Sequence, residues 1–299
     1  MDPRFHIARL SRIAATAALG IALLGCQRAP STASIAFLAQ GEGRWQVWWM
    51  STPGAVPVQV TRLPQDVARL SWFPDGQDVL ANLQDGRLLR VNVRSGAAQP
   101  VTFPFAGILD AVIAPDGKRI AFSMSIADSN DRNDIWTYDI ASGAKRKLFS
   151  MPGLQHEPVW SVDGKTLYFL SGKGQQTHDI WRVDLATGST EQLTVNALYH
   201  FDLAAREDGT VAYSGNQGGN YDLWLLPAKG KPERLTNDAA LDARPSWSPD
   251  GTSLLFESMR DGTVANLWRI DLDSKQMQRL TQMPGGARMP VWAPVGGGR

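Results

Sequence analysis

The stretch Arg244-Pro245-Ser246-Trp247-Ser248-Pro249-Asp250-Gly251, followed by Asn266-Leu267-Trp268-Arg269-Ile270-Asp271 and Arg279-Leu280-Thr281, contains every part of a pattern that recurs along the chain. Its Pro-Asp-Gly core reads as a tight turn. Proline presets φ at the first corner, aspartate bonds its own backbone, and glycine accepts positive φ, so one strand reverses into the next. The Asp-Gly pair returns at Asp75-Gly76, Asp116-Gly117, Asp163-Gly164, Asp208-Gly209 and Asp250-Gly251, at intervals of 41, 47, 45 and 42 residues, with a degenerate copy at Pro294-Val295-Gly296.

The flanks repeat with the turn. Three residues before the aspartate stand Trp72, Ile113, Trp160, Ala205 and Trp247, with Trp292 at the same place in the degenerate copy. A second register downstream holds Trp48, Leu89, Trp136, Trp181, Trp224 and Trp268, so nine of the 11 tryptophans fall at two repeat positions. A third register closes each unit with Val60-Thr61, Val101-Thr102, Leu148-Phe149, Leu193-Thr194, Leu235-Thr236 and Leu280-Thr281.

Each unit has room for four short strands, here one ending at Asp250-Gly251, then 254–258, 267–272 and 277–281. Alternation puts Trp268, Ile270 and Leu272 on one face of the third strand, as packing between neighbouring sheets requires. Four strands in about 40 to 45 residues make a propeller blade. Five units are complete. The N-terminal region supplies three more strands, near 35–39, 45–50 and 56–62, and the C-terminal region supplies an innermost strand at 288–292. The fold expected is therefore all-β, a six-bladed β-propeller over residues 35–299 whose last blade is closed by strands from both ends. Such a ring closes on itself without a second subunit, and a monomer is expected.

The same phrases resemble the repeat of the TolB-like family of periplasmic propellers, over essentially all of residues 35–295. In TolB proteins the propeller binds the peptidoglycan-associated lipoprotein at a site colicins also exploit, and a separate N-terminal α/β domain contacts an inner-membrane partner. The resemblance implies this fold and a habit of binding proteins at the propeller mouth. The present chain is expected to do without the α/β domain and to carry a lipid that soluble TolB does not.

That expectation comes from residues 1–34. Arg4, Arg9 and Arg12 precede an apolar stretch from Ile13 to Leu24, the pattern of a secretory signal peptide over 1–25. At 12 residues the stretch is too short to span a bilayer core, which takes about 20 helical residues. Leu23-Leu24-Gly25-Cys26 resembles the bacterial lipobox, and Cys26 is the only cysteine, which favours lipidation over a free thiol in an exported protein. Gln27 in place of aspartate implies sorting to the outer membrane, with the protein facing the periplasm. Residues 26–34 then form a lipidated tether of small residues and Pro30.

Composition narrows the function. Hydrophobic content of 43% with 20% charged residues suits a globular chain with a large core. The balance of 30 basic against 29 acidic residues gives no footprint for nucleic acid. No Gly-x-Ser-x-Gly elbow and no phosphate loop appears. The repeated turn aspartates are spread around the ring, too far apart to work as an acid–base pair.

In a propeller the loops entering the first strands gather on one face, where ligands usually meet the fold. Aligning the six first strands places Arg69, Asp110, Glu157, Asp202, Arg244 and Met289 around the channel mouth, with His156, His200, Asp242 and Arg288 one or two residues earlier. Arg69, Asp110, Glu157, Asp202, Asp242, Arg244 and Arg288 are the expected contacts for a partner's tail or loop. The partner expected is an envelope protein or lipoprotein, with no cofactor and no catalytic residue. The alternative is a metal-dependent propeller enzyme acting on sugars or lactones, for which His156 and His200 are the candidate ligands. His178 aligns with Asn133, Tyr221 and Ala265 and reads as a surface-loop residue. Asp128, Asn130, Asp131, Asn133 and Asp134 read as an exposed acidic loop, since glycine and a terminal bidentate carboxylate are not where a calcium loop needs them.

Overall fold

Twenty-four strands form six antiparallel sheets of four in the computed structural model, which describes residues 33–125, 133–173, 177–195, 199–216 and 219–294. Residues 1–32, with Cys26, and residues 126–132, with Asp128, Asn130 and Asp131, lie outside the described residues. Each inner strand packs against the inner strands of both neighbours, so the six sheets close into a ring. The six-blade count from the turn spacing holds.

Blade 1 is the shared one. Its inner strand Ala287–Trp292 pairs with Ile35–Gly41, which pairs with Arg44–Met50 and then with Val58–Gln59. Ile35 lies opposite Trp292. The remaining inner strands are Val67–Trp72 in blade 2, Val112–Ile113 in blade 3, Gln155–Trp160 in blade 4, His200–Ala205 in blade 5 and Asp242–Trp247 in blade 6.

The turns behave as their chemistry requires. Asp75, Asp116, Asp163, Asp208 and Asp250 each accept through Oδ1 from the backbone N–H two residues on, at 2.8, 2.8, 3.1, 3.0 and 3.1 Å. Gly251 sits at φ +69°, in the left-handed region that a side chain would strain.

Burial follows the ring. Six apolar clusters each join one pair of neighbouring blades, for example Leu223 and Ala212 of blade 5 with Leu254, Phe256 and Ile270 of blade 6. Trp268 and Leu272 pack on that same cluster, whereas Leu255 and Leu267 face blade 1. Strand Ser253–Ser258 is accordingly buried on both faces. Indole N–H groups add ties between blades. Trp72 donates to the Val291 carbonyl at 3.0 Å, Trp160 to Val112 at 3.2 Å and Trp247 to Ala204 at 3.0 Å.

The structure joins two registers that the sequence presents separately. In blade 5 the Thr236 hydroxyl accepts the Leu223 N–H at 2.9 Å and donates to buried Asp222 at 3.4 Å, and Arg234 pairs with the same carboxylate. Blades 1, 4 and 6 repeat this lock with Thr61 and Gln46, Thr194 and Asp179, and Thr281 and Asn266. The lock fastens the end of the outer strand to the start of the third strand, where each backbone group needs a partner once buried. Blade 3 has Phe149 at the threonine position, and Asp134 there meets Lys147 at 3.4 Å. Asp134 is thus buried at the start of strand Asn133–Asp139, which corrects the expectation of an exposed acidic loop at Asn133 and Asp134.

Candidate functional site: the channel mouth

Arg69, Glu157, Asp202, Arg244 and Met289 are each the third residue of an inner strand. In blades 1, 4, 5 and 6 the register against the second strand shifts across this residue, the mark of a β-bulge, whereas in blade 2 the shift comes before Arg69. Glu157, Asp202, Arg244 and Met289 hold φ of +53°, +57°, +54° and +52°. A left-handed residue other than glycine costs roughly 1–2 kcal/mol. Four in consecutive blades, all at one level of the channel, aim side chains inward, and at Glu157, Asp202 and Met289 the backbone N–H turns toward the preceding blade.

These three N–H groups, on Glu157, Asp202 and Met289, are met by carboxylates from the preceding blade. Asp110 accepts the Glu157 N–H at 3.1 Å and, through its other oxygen, the Ser123 N–H at 3.0 Å. Glu157 accepts the Asp202 N–H at 2.9 Å. Asp202 accepts the Ser214 hydroxyl at 2.8 Å and lies 3.5 Å from Arg244, which is bound on its other side by Glu257. Glu257 then accepts the Met289 N–H at 3.1 Å. A carboxylate chain therefore runs from blade 3 through blades 4, 5 and 6 to blade 1.

The chain stops between blades 1 and 3. Met289 offers no carboxylate there, and Arg69 is a donor whose side chain makes no hydrogen bond or ion pair among the described residues. Arg288 stacks its guanidinium 3.8 Å over the Trp45 ring, and its Nε is buried without a hydrogen-bond partner.

Burial sets the electrostatics. It raises the Glu157 carboxyl, with the nearby Asp202 charge adding to the effect and Arg69 opposing it. It raises Glu257 as well, against the pull of Arg244. Burial alone would lower Arg244, but the Glu257 and Asp202 charges outweigh it and the guanidinium is raised. Arg288 is lowered, first by burial and then by the like charge of Arg244.

The earlier positions divide. His156 lies beside Glu157, its Nδ1 3.9 Å from a carboxylate oxygen, and burial together with the His178 and Arg69 charges lowers it to about 4. His200 and Asp242 are withdrawn from the mouth, at 1% and 0% exposure. His200 packs 4.4 Å from the Tyr213 ring and is lowered to about 4 by burial, with the His178 charge adding to the effect. Asp242 is bound by Arg260 at 2.8 Å. Among the described residues no group of three or more His, Cys, Asp or Glu side chains is placed to hold a metal ion. His178 lies in the loop before strand Asp179–Asp184 and is half-buried there. It makes edge contacts to His156 at 4.7 Å, Phe201 at 5.4 Å and Tyr199 at 5.8 Å, part of an aromatic rim on blades 4 and 5. Leu154 and Tyr199, just before the inner strands of blades 4 and 5, are 50% and 46% exposed, and Leu109, before the inner strand of blade 3, is 41% exposed.

Glu257 is the ring residue that aligning the inner strands misses, because it sits on the second strand. A signal was available. The seventh residue after the turn aspartate is Asn82, Ser123 and Glu257 in blades 2, 3 and 6, polar in otherwise apolar strands. Asn82 makes a reciprocal pair with the Ala111 backbone at 2.9 and 3.0 Å, the neutral counterpart in blade 2.

Comparison with known proteins places this mouth in context. The family model described as the TolB beta propeller domain matches residues 92–296. An uncharacterized protein of Agrobacterium fabrum is 27% identical over 79% of this chain and 84% of its own length. The Tol-Pal system protein TolB of Nitratidesulfovibrio vulgaris is 27% identical over 51% of this chain, a match that spans 36% of that protein. The crystal structure of TolB from Acinetobacter baumannii superimposes with a TM-score of 0.76 at 24% identity, covering 89% of this chain and 68% of the other, a likeness of fold. With two thirds of its length matched by that family model and six four-stranded blades in a ring, the chain belongs to the TolB beta propeller domain family.

Proposed function

We propose that this chain is a protein-binding propeller module of the bacterial envelope and not an enzyme. In this reading it is lipidated at Cys26, held to the outer membrane facing the periplasm, and works as a monomer on an envelope protein or lipoprotein. The observation that carries it is the mouth itself. Four consecutive blades hold strained left-handed residues that present Glu157, Asp202, Arg244 and Met289 to the channel, beside a rim of exposed Leu109, Leu154 and Tyr199. Strain held at one level of a rigid ring is typical of sites whose geometry is used. Apolar and aromatic groups around arginines are the composition of protein-binding hot spots. Relatives named for the Tol-Pal system support an envelope partner.

In-cell crosslinking followed by capture of the protein tests this. A Leu154→Ser, Tyr199→Ala double variant alters the rim without touching the carboxylate chain. Val56→Ser, 84% exposed in the turn between the third and outer strands of blade 1, is the control on the opposite face. A partner captured by wild type and the control but lost with the rim variant is the expected result. The same partners with all three sink the reading. Fractionation of the same cells is expected to place wild type with the outer membrane and Cys26→Ser in the soluble fraction.

A further inference from the structure

The channel ring is complete on one arc and open on the other. From blade 3 to blade 1, Asp110, Glu157 and Glu257 each supply a carboxylate to an N–H of the next blade. On the open arc, across blades 1 and 2, the corresponding residues are Met289 and Arg69, and no side-chain carboxylate fills the place. Two arginines stand there, Arg69 and Arg288. The Arg69 side chain makes no hydrogen bond or ion pair among the described residues, and Arg69 holds the same third place of an inner strand as Glu157 and Asp202. Arg288 has its Nε buried and unpartnered. Glu257 and Asp66 act on Arg288 through their charge without forming an ion pair with it, and Asp66 spends an oxygen on the Trp45 N–H at 2.9 Å. With its guanidinium carbon 3.8 Å over the Trp45 ring, Arg288 presents N–H donors suited to a planar acceptor.

We infer that the open arc is completed from outside, by a carboxylate of an incoming protein segment received by Arg69 and Arg288. The acids of the channel have committed oxygens to backbone N–H groups, to Ser214 and to Arg244, so they are poorly placed to satisfy these two arginines. A carboxylate matches the group that fills the same level in the other blades, and it relieves a buried donor that otherwise lacks a partner. This deepens the proposed function, since it takes the mouth as the docking face. The carboxylate can come from an acidic side chain or from a chain terminus, and the two arrive on different peptides.

Calorimetric titration of the purified protein with three short peptides tests the inference. The first is acetyl-Gly-Asp-Gly-Glu-Gly-amide. The second is acetyl-Gly-Asn-Gly-Gln-Gly with a free C-terminal carboxylate. The third is the second peptide amidated, with no carboxylate at all. Saturable binding of the first identifies a side-chain source, of the second a terminal one. In either case Arg69→Gln and Arg288→Gln are expected to weaken binding about tenfold each, the scale of one lost charge-assisted contact. Arg182→Gln, which removes a guanidinium paired with Glu191 on the outer part of blade 4, is expected to leave it unchanged. The inference is overturned if neither carboxylate peptide binds, if the amidated neutral peptide binds equally, or if Arg182→Gln costs as much as Arg69→Gln. Inorganic phosphate binding as tightly, with the same arginine dependence, overturns it too, by showing an ion site only. A protein partner lost with the rim variant but retained by Arg69→Gln and Arg288→Gln would leave the proposed function standing and this inference refuted.

Discussion

The outer lock and the channel ring perform related tasks with opposite economy of residues. The lock ties the third and outer strands of a blade together, and blades 1, 4, 5 and 6 do so with the same threonine and a buried Asp, Asn or Gln. The ring ties one blade to the next at a single level of the channel, and there the six positions are Arg69, Asp110, Glu157, Asp202, Arg244 and Met289. Blades that must be superimposable need identical chemistry. A surface at the mouth has no such obligation, so its residues are free to differ, and the differences leave donors unspent on one side.

The largest effect expected from this contrast is in the lock. Asp222→Ala removes a fully buried carboxylate from Thr236 and Arg234 and leaves the arginine unpaired, a loss of about 3 kcal/mol by the usual cost of breaking a buried pair. The midpoint of urea unfolding measures it. A loss below about 1 kcal/mol, the range of surface pairs, would mean that the lock is decoration.

The lock also shows what a sequence yields. Turn aspartates, tryptophans and Leu-Thr endings could be read because each recurs at a fixed interval, and the interval fixed the strand count and the closing of blade 1. That Thr236 reaches back to Asp222 could not be read from periodicity, since two registers at constant spacing say nothing of contact. Asp134 misled for a related reason. It lies among acidic neighbours, and only the alignment with Asp179 and Asp222 gives away its buried place. At the mouth, inner-strand alignment located the level of the ring but not its bonding. Glu257 enters from the second strand, while His200 and Asp242, two residues earlier than the ring, turn into the blade.

His200 gives a second, smaller handle on the same contrast, through pH. Its folded pKa, about 4, lies below the ordinary 6.5, so between those values the unfolded chain holds more protons. Its contribution is therefore present above 6.5 and is lost as pH falls toward 4. The stability advantage of wild type over His200→Asn is expected to shrink by ~2 kcal/mol from about pH 7.5 to about pH 5. Urea midpoints at the two pH values check it, and a constant difference would place the imidazole in contact with water in the folded state.

Arg69 should show the smallest effect. With no side-chain hydrogen bond or ion pair among the described residues, it is expected to tolerate Arg69→Gln within about 0.5 kcal/mol in the same unfolding assay. A cost near that of Asp222→Ala would move Arg69 from the unspent side of the ring to the structural side and erase the contrast.

Blade 1 carries a consequence for how the molecule is made. Ile35 and Trp292 face each other across a strand pair, so the first strand of the ring waits for the last. Until the C-terminal strand has been made, blades 2 to 6 have all their strands, but Ile35–Gly41 has a bare edge where Ala287–Trp292 belongs, and Phe37 has no cover from Trp292. Contacts this distant in sequence are slow to form. The ring thus acts as a length gauge: a chain cut short before Ala287 keeps an open, sticky sheet edge of the kind quality-control proteases and aggregates both seek, and only the finished chain hides it.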